Sequence, residues 1–417
     1  MKTYVVGGAV RDALLGLPVQ DQDYVVVGAT PELMLARGYT PVGKDFPVFL
    51  HPKTRAEYAL ARTERKTAPG YTGFVFHTSP DVTLEQDLAR RDLTINAMAR
   101  ASDGELIDPY GGQQDLRDRI LRHVSSSFAE DPVRILRLAR FAARFGDFAV
   151  APETMDLMRA MVVSGEVDAL VPERVWQELA RGLMERNPAR MFEVLRACGA
   201  LARILPELEQ VWDAPRLAAL RPGAEANQRG AHLMLALERA AASGAPLQVR
   251  FALLAPALGD EVSGIREPAQ HSVQLLRQIS QRLRVPNDCR DLAILAAREF
   301  ALIAAAQALA PPDLVGLLER CDALRKPQRF AELLQAAACD WGADPDRAEH
   351  PFPQASFLEH VLAAATSIDA GAIATQARAS HPDQPQLIPQ TIRAARIAVV
   401  AASLRRINLR PEKPGQA

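Results

Sequence analysis

A short apolar strand that breaks at two glycines and returns as a strand led by two acids leaves few folds open. Residues Lys2 to Val27, KTYVVGGAVRDALLGLPVQDQDYVVV, carry that pattern. Tyr4, Val5 and Val6 read as the first strand, Gly7-Gly8 as the break, and Arg11 and Asp12 as part of a brief helix. A turn at Gly16 to Pro18 then leads to a second strand opening with Asp21-Gln22-Asp23. Strand side chains alternate between faces, so Asp21 and Asp23 project to one side and Gln22 to the other.

Two carboxylates held this close repel each other unless a cation lies between them. Oxygen-only donors suit Mg²⁺, which takes one or two protein carboxylates and completes its shell with water and substrate phosphates. Gly7-Gly8 adds the phosphate half: without a Cβ, the backbone can approach an anion with its N–H groups at a helix start. Arg11 can add a charge-assisted fork to the same phosphates. Taken singly, a Gly-Gly is usually a turn and an Asp-x-Asp a solvated strand start. Their joint occurrence in one strand-turn-helix-turn-strand unit describes a site for a metal-bound nucleoside triphosphate, and this unit resembles the nucleotidyltransferase superfamily of bacterial poly(A) polymerases and CCA-adding enzymes.

Two further stretches carry the same resemblance. DLARRDLTINAMA, Asp87 to Ala99, has helical apolar spacing at Leu88, Leu93, Ile95, Ala97 and Met98, and is similar to the family's Arg-Arg-Asp-(Leu/Phe)-Thr-(Ile/Val)-Asn-Ala motif. The resemblance implies that Arg91 contacts the triphosphate and Asp92 the sugar, with Asn96 bracing the site. IDPYGGQQDL matches the family's glycine-bearing connector, with Gly111-Gly112 as a hinge or an ordinary loop. SFAEDPVRILRLARFAAR, Ser127 to Arg144, reads as a helix whose Asp131, Arg134, Arg137 and Arg140 recur every third residue and form a slowly winding stripe along one cleft. The family's Glu-Asp-x-x-Arg motif falls on Glu130, Asp131 and Arg134.

An acid and a guanidinium together suit one selection task. Cytosine and adenine both present an amino donor beside a ring-nitrogen acceptor, so a carboxylate and an arginine accept C and A and mismatch U and G. Asp131 also reads as a helix cap before Pro132. Capping leaves the three arginines behind it unexplained.

Over its 417 residues the chain has a formal net charge of −1, so any RNA-binding surface must come from local segregation of charge. Cys198, Cys289, Cys321 and Cys339 lie far apart in apolar contexts and read as buried thiols of a cytosolic protein. Neither a signal peptide nor a membrane span is expected. Glu57 or Glu64 is a candidate third carboxylate at the acid pair, with a surface ion pair as the alternative. The basic stretch Thr63 to Gly73 is a candidate contact for phosphates or a polynucleotide.

From about Asp147 the pattern is helical. Residues from about Asp213 to Ala310 resemble the place where enterobacterial-type CCA-adding enzymes carry a metal-dependent HD phosphohydrolase domain. His232 remains, but Pro256-Ala257 stands where His-Asp is required and Phe300 at a further ligand position, so the resemblance implies retained packing without a hydrolytic site. The C-terminal stretch is acid-free from Gln384 to Pro411 and presents Arg393, Arg396, Arg405, Arg406 and Arg410 to RNA or to solvent.

The expected fold class is α+β: a nucleotidyltransferase head with a mixed β-sheet over residues 1–145, then an all-α neck (146–212), body (213–330) and tail (331–417). DQDYVVVGATPELM and VGKDFPVFLHPKTRAEYALARTERK favour CCA addition over the alternative, a bacterial poly(A) polymerase. The resemblance then implies template-free rebuilding of the tRNA 3′ end from CTP and ATP. Two Mg²⁺ act on Asp21 and Asp23, while Gly7, Gly8, Arg11 and Arg91 hold the triphosphate. Asp131 and Arg134 select the base, supported by Arg137 and Arg140. The expected partners are the tRNA acceptor end and elbow, in a cytoplasmic monomer or homodimer.

Overall fold

The structure is a computed structural model that describes residues 1–42, 48–66, 74–214, 228–259 and 268–408; the side chains of 64–66, 74–77, 268, 407 and 408 are outside that description. Two compact units divide the chain, Met1–Glu209 and Gln210–Ala417.

The first unit begins with strand β1 (Lys2–Val6), helix α1 (Gly8–Leu14), β2 (Asp23–Val27) and α2 (Pro31–Ala36). β3 (Thr40–Val42), β4 (Val48–Leu50), β5 (Glu57–Leu60) and a separate hairpin of β6 (Arg62–Lys66) and β7 (Phe74–Thr78) follow. After α3 (Leu84–Ala89) come the short strands β8 (Ala99–Arg100) and β9 (Leu106–Ile107). The main sheet runs β3-β4-β5-β2-β1-β8-β9, with β2 and β5 parallel and the other neighbours antiparallel, the mixed sheet of an α+β head.

Alternation along the strands sorts the two faces. Val26, Met34, Phe49 and Leu60 form a core on the α2 side. Val6, Val25, Ala61, Leu84, Leu88 and Ala97 form the core on the other side, against α3. Val6 lies opposite Asp23 in the antiparallel ladder, so Asp23 shares the α3 face and the Gly7 turn begins beside it. α3 starts on a capping box in which Thr83 accepts from Gln86 N and Gln86 accepts from Thr83 N, worth roughly 1 kcal/mol.

Two expectations about local structure are corrected. β2 begins at Asp23, so Asp21 lies in the preceding loop rather than inside the strand. The helical spacing of Asp87 to Ala99 also misleads: α3 ends at Ala89, and Thr94–Asn96 is a single 3₁₀ turn. Tertiary hydrogen bonds account for the break. Thr94 N donates to Arg122 O at 2.9 Å, and Leu93 N donates to the Asp92 carboxylate at 2.9 Å. Buried Leu93, Ile95, Ala97 and Met98 each find the core from an irregular backbone whose polar groups are satisfied.

α4 (Gly112–Asp118) leads to α5 (Val133–Arg144), preceded by a 3₁₀ turn at Ser126–Glu130, so the helix expected from Ser127 starts only after Pro132. Gly112 is required by packing, because a Cβ there would stand 2.4 Å from Thr94 O. α6 (Pro152–Val163), α7 (Pro172–Leu183), α8 (Pro188–Ala197), α9 (Ala200–Ile204) and α10 (Pro206–Val211) follow. Pro206 divides the helix expected over Leu201 to Trp212.

Among its described residues the second unit is helical: α11 (Arg229–Ala242), α12 (Leu247–Ala252), α13 (Leu254–Gly259), α14 (Pro268–Leu283), α15 (Asn287–Ala304), α16 (Pro311–Arg320), α17 (Pro327–Gly342), α18 (Pro353–Thr366), α19 (Ala370–Ser380) and α20 (Leu387–Asn408). Within it, α11, α12 and α15 pack with α17, and α20 packs on α16, α18 and α19. α20 is long and apolar enough to cross a membrane by composition. Here its Val400 is fully buried and Arg393 pairs with Glu319 at 2.9 Å. Cys198, Cys289, Cys321 and Cys339 are all buried free thiols, and burial pushes the Cys289 thiol up to about 12.

Candidate active site

The geometry of the glycine turn follows from one residue. Gly7 has φ +69°, which side chains with a Cβ rarely adopt, and its N donates to Met98 O at 3.2 Å. A Cβ on Gly7 would stand 2.9 Å from Arg91 Nη1. The Arg91 guanidinium therefore lies directly over the turn, while Gly8 opens the helix behind it.

Arg91 is held from below. Its Nη2 donates to Asp87 Oδ2 at 3.3 Å and its Nη1 to Asn96 O at 3.4 Å, while its buried Nε has no partner among the described residues. Asp87 is wholly buried and also takes Arg90 through Nε and Nη2 at 3.1 and 2.7 Å. Burial alone would raise the Asp87 pKa, but the charges of Arg90 and Arg91 hold it below the usual range. Burial lowers the Arg91 pKa.

Asp21 and Asp23 are both exposed, and among the described residues neither carboxylate has a hydrogen-bond or ion-pair partner. Two free hard-oxygen donors beside a glycine turn fit a divalent cation that keeps much of its shell for water and phosphate. By the register Tyr24 opposite Tyr58, Glu57 lies next to Asp23 on the same sheet face. Even so, no three His, Cys, Asp or Glu side chains converge among the described residues. The Glu64 side chain and residues 67–73 of the basic stretch lie outside the described residues.

Arg11 departs from the expected fork on the phosphates. It is 3 % exposed, with Nε 2.9 Å from Asp12 Oδ1, Nη1 2.5 Å from Asn96 Oδ1, and its guanidinium over the Phe141 and Phe145 rings at 5.1 and 5.4 Å. Burial lowers its pKa against the opposing pull of Asp12. Asn96 Nδ2 donates in turn to Asp92 Oδ1 at 3.0 Å, and Asp92 Oδ2 accepts from Arg137 Nε and Nη2 at 2.8 and 2.7 Å. Arg144 closes the other end on Asp12 at 2.9 Å. One continuous polar chain thus ties α1 to the motif turn and to α5. Burial alone would raise the Asp92 pKa. The charge of Arg137, with hydrogen bonds from Asn96, Arg137 and Leu93 N, outweighs it and holds the acid far below the ordinary carboxylate range.

The arginine stripe of α5 does not line one cleft. Arg134 donates through Nη1 to Ser127 O at 2.7 Å and through Nη2 to Arg90 O at 2.6 Å. Arg137 serves Asp92, and Arg140 is buried on Glu178 at 2.6 Å beneath Phe141. A three-residue repeat advances 300° per step on an α-helix, so successive side chains drift around the axis until each meets a different neighbour. Asp131 both caps α5, accepting from Val133 N at 3.1 Å, and is gripped by Arg174 Nη1 and Nη2 at 3.3 and 2.9 Å. Its side chain stays 20 % exposed.

Sequence reading missed Asp87, Arg144, Arg174 and Glu178. Asp87 stands four residues before Arg91 at the end of a helix, a spacing that pairs charges. Arg174 and Glu178 form the same spacing on α7, but nothing in the chain says that α5 is their partner. In the second unit His232 Nε2 lies 2.8 Å from Asp340 Oδ1, and both are largely buried. Arg393 faces Glu319, Arg396 is half-buried, Arg405 and Arg406 are exposed, and Arg410 lies outside the described residues.

Residues 3–122 match the poly A polymerase head domain family, and residues 147–211 match the family described as a probable RNA and SrmB-binding site of polymerase A. The multifunctional CCA protein of Janthinobacterium sp. (strain Marseille) is 60 % identical over 97 % of this chain and 98 % of its own length. That of Azoarcus sp. (strain BH72) is 59 % identical over 96 % and 97 %. The crystal structure of the Bacillus stearothermophilus CCA-adding enzyme in complex with CTP superposes with a TM-score of 0.63 at 25 % identity, covering 97 % of this chain and 93 % of that one. With such identity along almost its whole length, joined to a glycine turn, a free acid pair and an Arg-Arg-Asp network, this chain belongs to the family of multifunctional CCA proteins.

Proposed function

We propose that the chain rebuilds the 3′-terminal CCA of tRNA from CTP and ATP, releasing pyrophosphate, with Asp21 and Asp23 as the catalytic acids. The observation that carries this reading is the contrast in partnering: these two exposed acids have no partner among the described residues, whereas Asp87, Asp92 and Asp131 of the same unit are each held by arginine. Asp21 and Asp23 would hold two Mg²⁺. Bound there, divalent cations would lower the pKa of the tRNA 3′-hydroxyl and neutralise charge on the departing pyrophosphate. The turn at Gly7 and the backbone N–H of Gly8, with the overhanging Arg91, orient the triphosphate for in-line attack. Arg11 underpins this turn from the core. Asp92, turned to Arg137 and Asn96, fixes the motif loop against which the sugar lies.

Base choice belongs to Asp131, its carboxylate oriented by Arg174 to accept from the amino group of C or A. Arg134 donates to the ring nitrogen after releasing one of its two carbonyls. Arg137 and Arg140 support it. A carboxylate and a guanidinium serve in place of a template. The head, neck, body and tail division at 145, 212 and 330, the cytoplasmic location and contact of Arg393, Arg396, Arg405 and Arg406 with tRNA are parts of the same proposal.

The test is incorporation into tRNA lacking its 3′ end. C, C and A should be added from CTP and ATP with Mg²⁺, and Asp21→Ala should abolish addition without changing the melting temperature. Long A tracts on many RNAs, with CTP ignored, would establish a poly(A) polymerase instead. The second unit is proposed to lack phosphohydrolase activity, a reading supported by Pro256-Ala257 and by the engagement of His232 with Asp340. Assays of phosphatase and cyclic phosphodiesterase activity with Ni²⁺ or Mg²⁺ should show little turnover, and robust metal-dependent hydrolysis would overturn it.

A further inference from the structure

Arg144 lies at the far end of α5 from the proposed base-reading residues, about 15 Å along the axis from Arg134, yet it anchors the polar chain behind the glycine turn. Arg137 and Arg144 are seven residues apart, close to two full turns, so both leave the helix from one face. The chain departs from that face at Arg137 and returns to it at Arg144, passing through Asp92, Asn96, Arg11 and Asp12. It thereby straps α1, with its Gly7 turn, and the 3₁₀ turn at Thr94–Asn96 onto the helix that carries Arg134.

Asp12 divides its carboxylate unequally. Oδ1 accepts from both Nε and Nη2 of Arg11, at 2.9 and 2.8 Å, and Oδ2 accepts from Arg144 Nη2 at 2.9 Å. An arginine facing a carboxylate with both oxygens open forks across the two. Arg144 occupies the second oxygen and confines Arg11 to the first. The consequence reaches the turn itself. Arg11 Nη2 stands 3.4 Å from where a Cβ on Gly8 would be, and Nη1 is 2.5 Å from Asn96 Oδ1. Arg11 and Arg144 also stand over the same Phe145 ring, at 5.4 and 5.3 Å from its centre. Arg11 is buried in close-packed surroundings, so a change in its pose is passed on to the backbone in front of it.

We infer that Arg144 is a positioning residue for nucleotide addition: through Asp12 it fixes Arg11 behind Gly8, and so sets where the glycine turn meets the triphosphate. The inference rests on the proposed role of that turn as the triphosphate seat. Arg144 then governs alignment and leaves base choice alone, because Asp131, Arg134 and Arg174 stand outside the chain that it anchors.

The experiment compares the full-length parent with Arg144→Gln, Arg144→Lys, Asp12→Asn and the double variant Asp12→Asn/Arg144→Gln. Steady-state addition to tRNA lacking its 3′ end is measured, with rates expressed per folded molecule from melting curves. The Arg144 side chain is 32 % exposed, so its variants test the inference even if those at buried Asp12 fold poorly. Arg144→Gln should lower kcat about tenfold with CTP and ATP alike while KM stays within about twofold, the pattern of a misaligned reacting group. Arg144→Lys can still supply the one N–H that Asp12 Oδ2 receives and should recover most of the loss. The double variant should be no slower than Asp12→Asn alone, because Arg144 acts through that carboxylate. An unchanged kcat per folded molecule in Arg144→Gln would overturn the inference, as would a loss confined to KM, an altered preference for CTP over UTP, no recovery with lysine, or additive losses in the double variant. A parent that adds neither C nor A would instead overturn the proposed function.

Discussion

Two sets of acids lie within the first unit and behave in opposite ways. Asp87 and Asp92 are buried and each is met by arginine, whereas Asp21 and Asp23 are exposed and have no partner among the described residues. The buried set is part of what lets the fold exist: a desolvated carboxylate without its guanidinium is strongly destabilising. The exposed set contributes little to folding and is free to engage a cation and substrate. Acidity alone therefore does not separate the proposed reactive acids from the structural ones, whereas partnering does.

This contrast can be broken most severely at the exposed pair. Asp23→Ala should lower nucleotide incorporation by about 10⁴-fold, equivalent to about 5.5 kcal/mol of barrier, with an unchanged melting temperature. A large loss of stability would place Asp23 among the structural acids.

Asp92→Ala should do the reverse, destabilising the first unit by about 3 kcal/mol because Arg137 and Asn96 lose their shared acceptor; denaturant melts followed in the head measure it. The same acid sets a pH dependence. Asp92 is held ionised below its usual range when folded and titrates near about 4 when unfolded, so the unfolded chain takes up the proton first as pH falls. Its contribution is fully present above roughly pH 4 and drains away below that, and Asp92→Asn should flatten this acid limb.

Gly7→Ala probes the junction between the two sets. The backbone there, at φ +69°, costs an L-residue about 1–3 kcal/mol, and the new Cβ displaces Arg91 from 2.9 Å. Steady-state kinetics should show roughly a 10²-fold loss, about 2.7 kcal/mol. The smallest effect is expected from Arg174→Ala: the Asp131 carboxylate loses its fork, and discrimination between correct and incorrect bases should fall about tenfold, close to 1.4 kcal/mol, with stability little changed. Competition between CTP and UTP measures this directly.

Parts of this arrangement were legible in the residues and parts were not. The Gly7 turn and the nearness of Asp23 to it follow from short-range pattern, because a strand pair joined by one short helix allows few registers. The second strand starts at Asp23, two residues later than the Asp-x-Asp pattern predicts, within the range over which strand ends vary. The Arg-Arg-Asp stretch was read as a helix because Leu88, Leu93, Ile95 and Met98 suit one. The backbone bends instead, since Thr94 and Asp92 find better partners in Arg122 O and Arg137. Arg11 was expected at the phosphates and turns inward because Phe141, Phe145 and Asn96 await it from elements 85 or more residues away.

The sequence by itself determined the mixed-sheet head, the helical remainder, the family and the acids beside the glycine turn. Each of these is carried by residues close together in the chain, where alternation, turn chemistry and spacing act directly. Only the tertiary structure decided which charges are spent on the fold: that Arg134 rests on two carbonyls, that Arg140 goes to Glu178, and that Arg174 steadies Asp131. A guanidinium chooses its partner by distance and desolvation, and both are properties of packed elements rather than of positions along a chain.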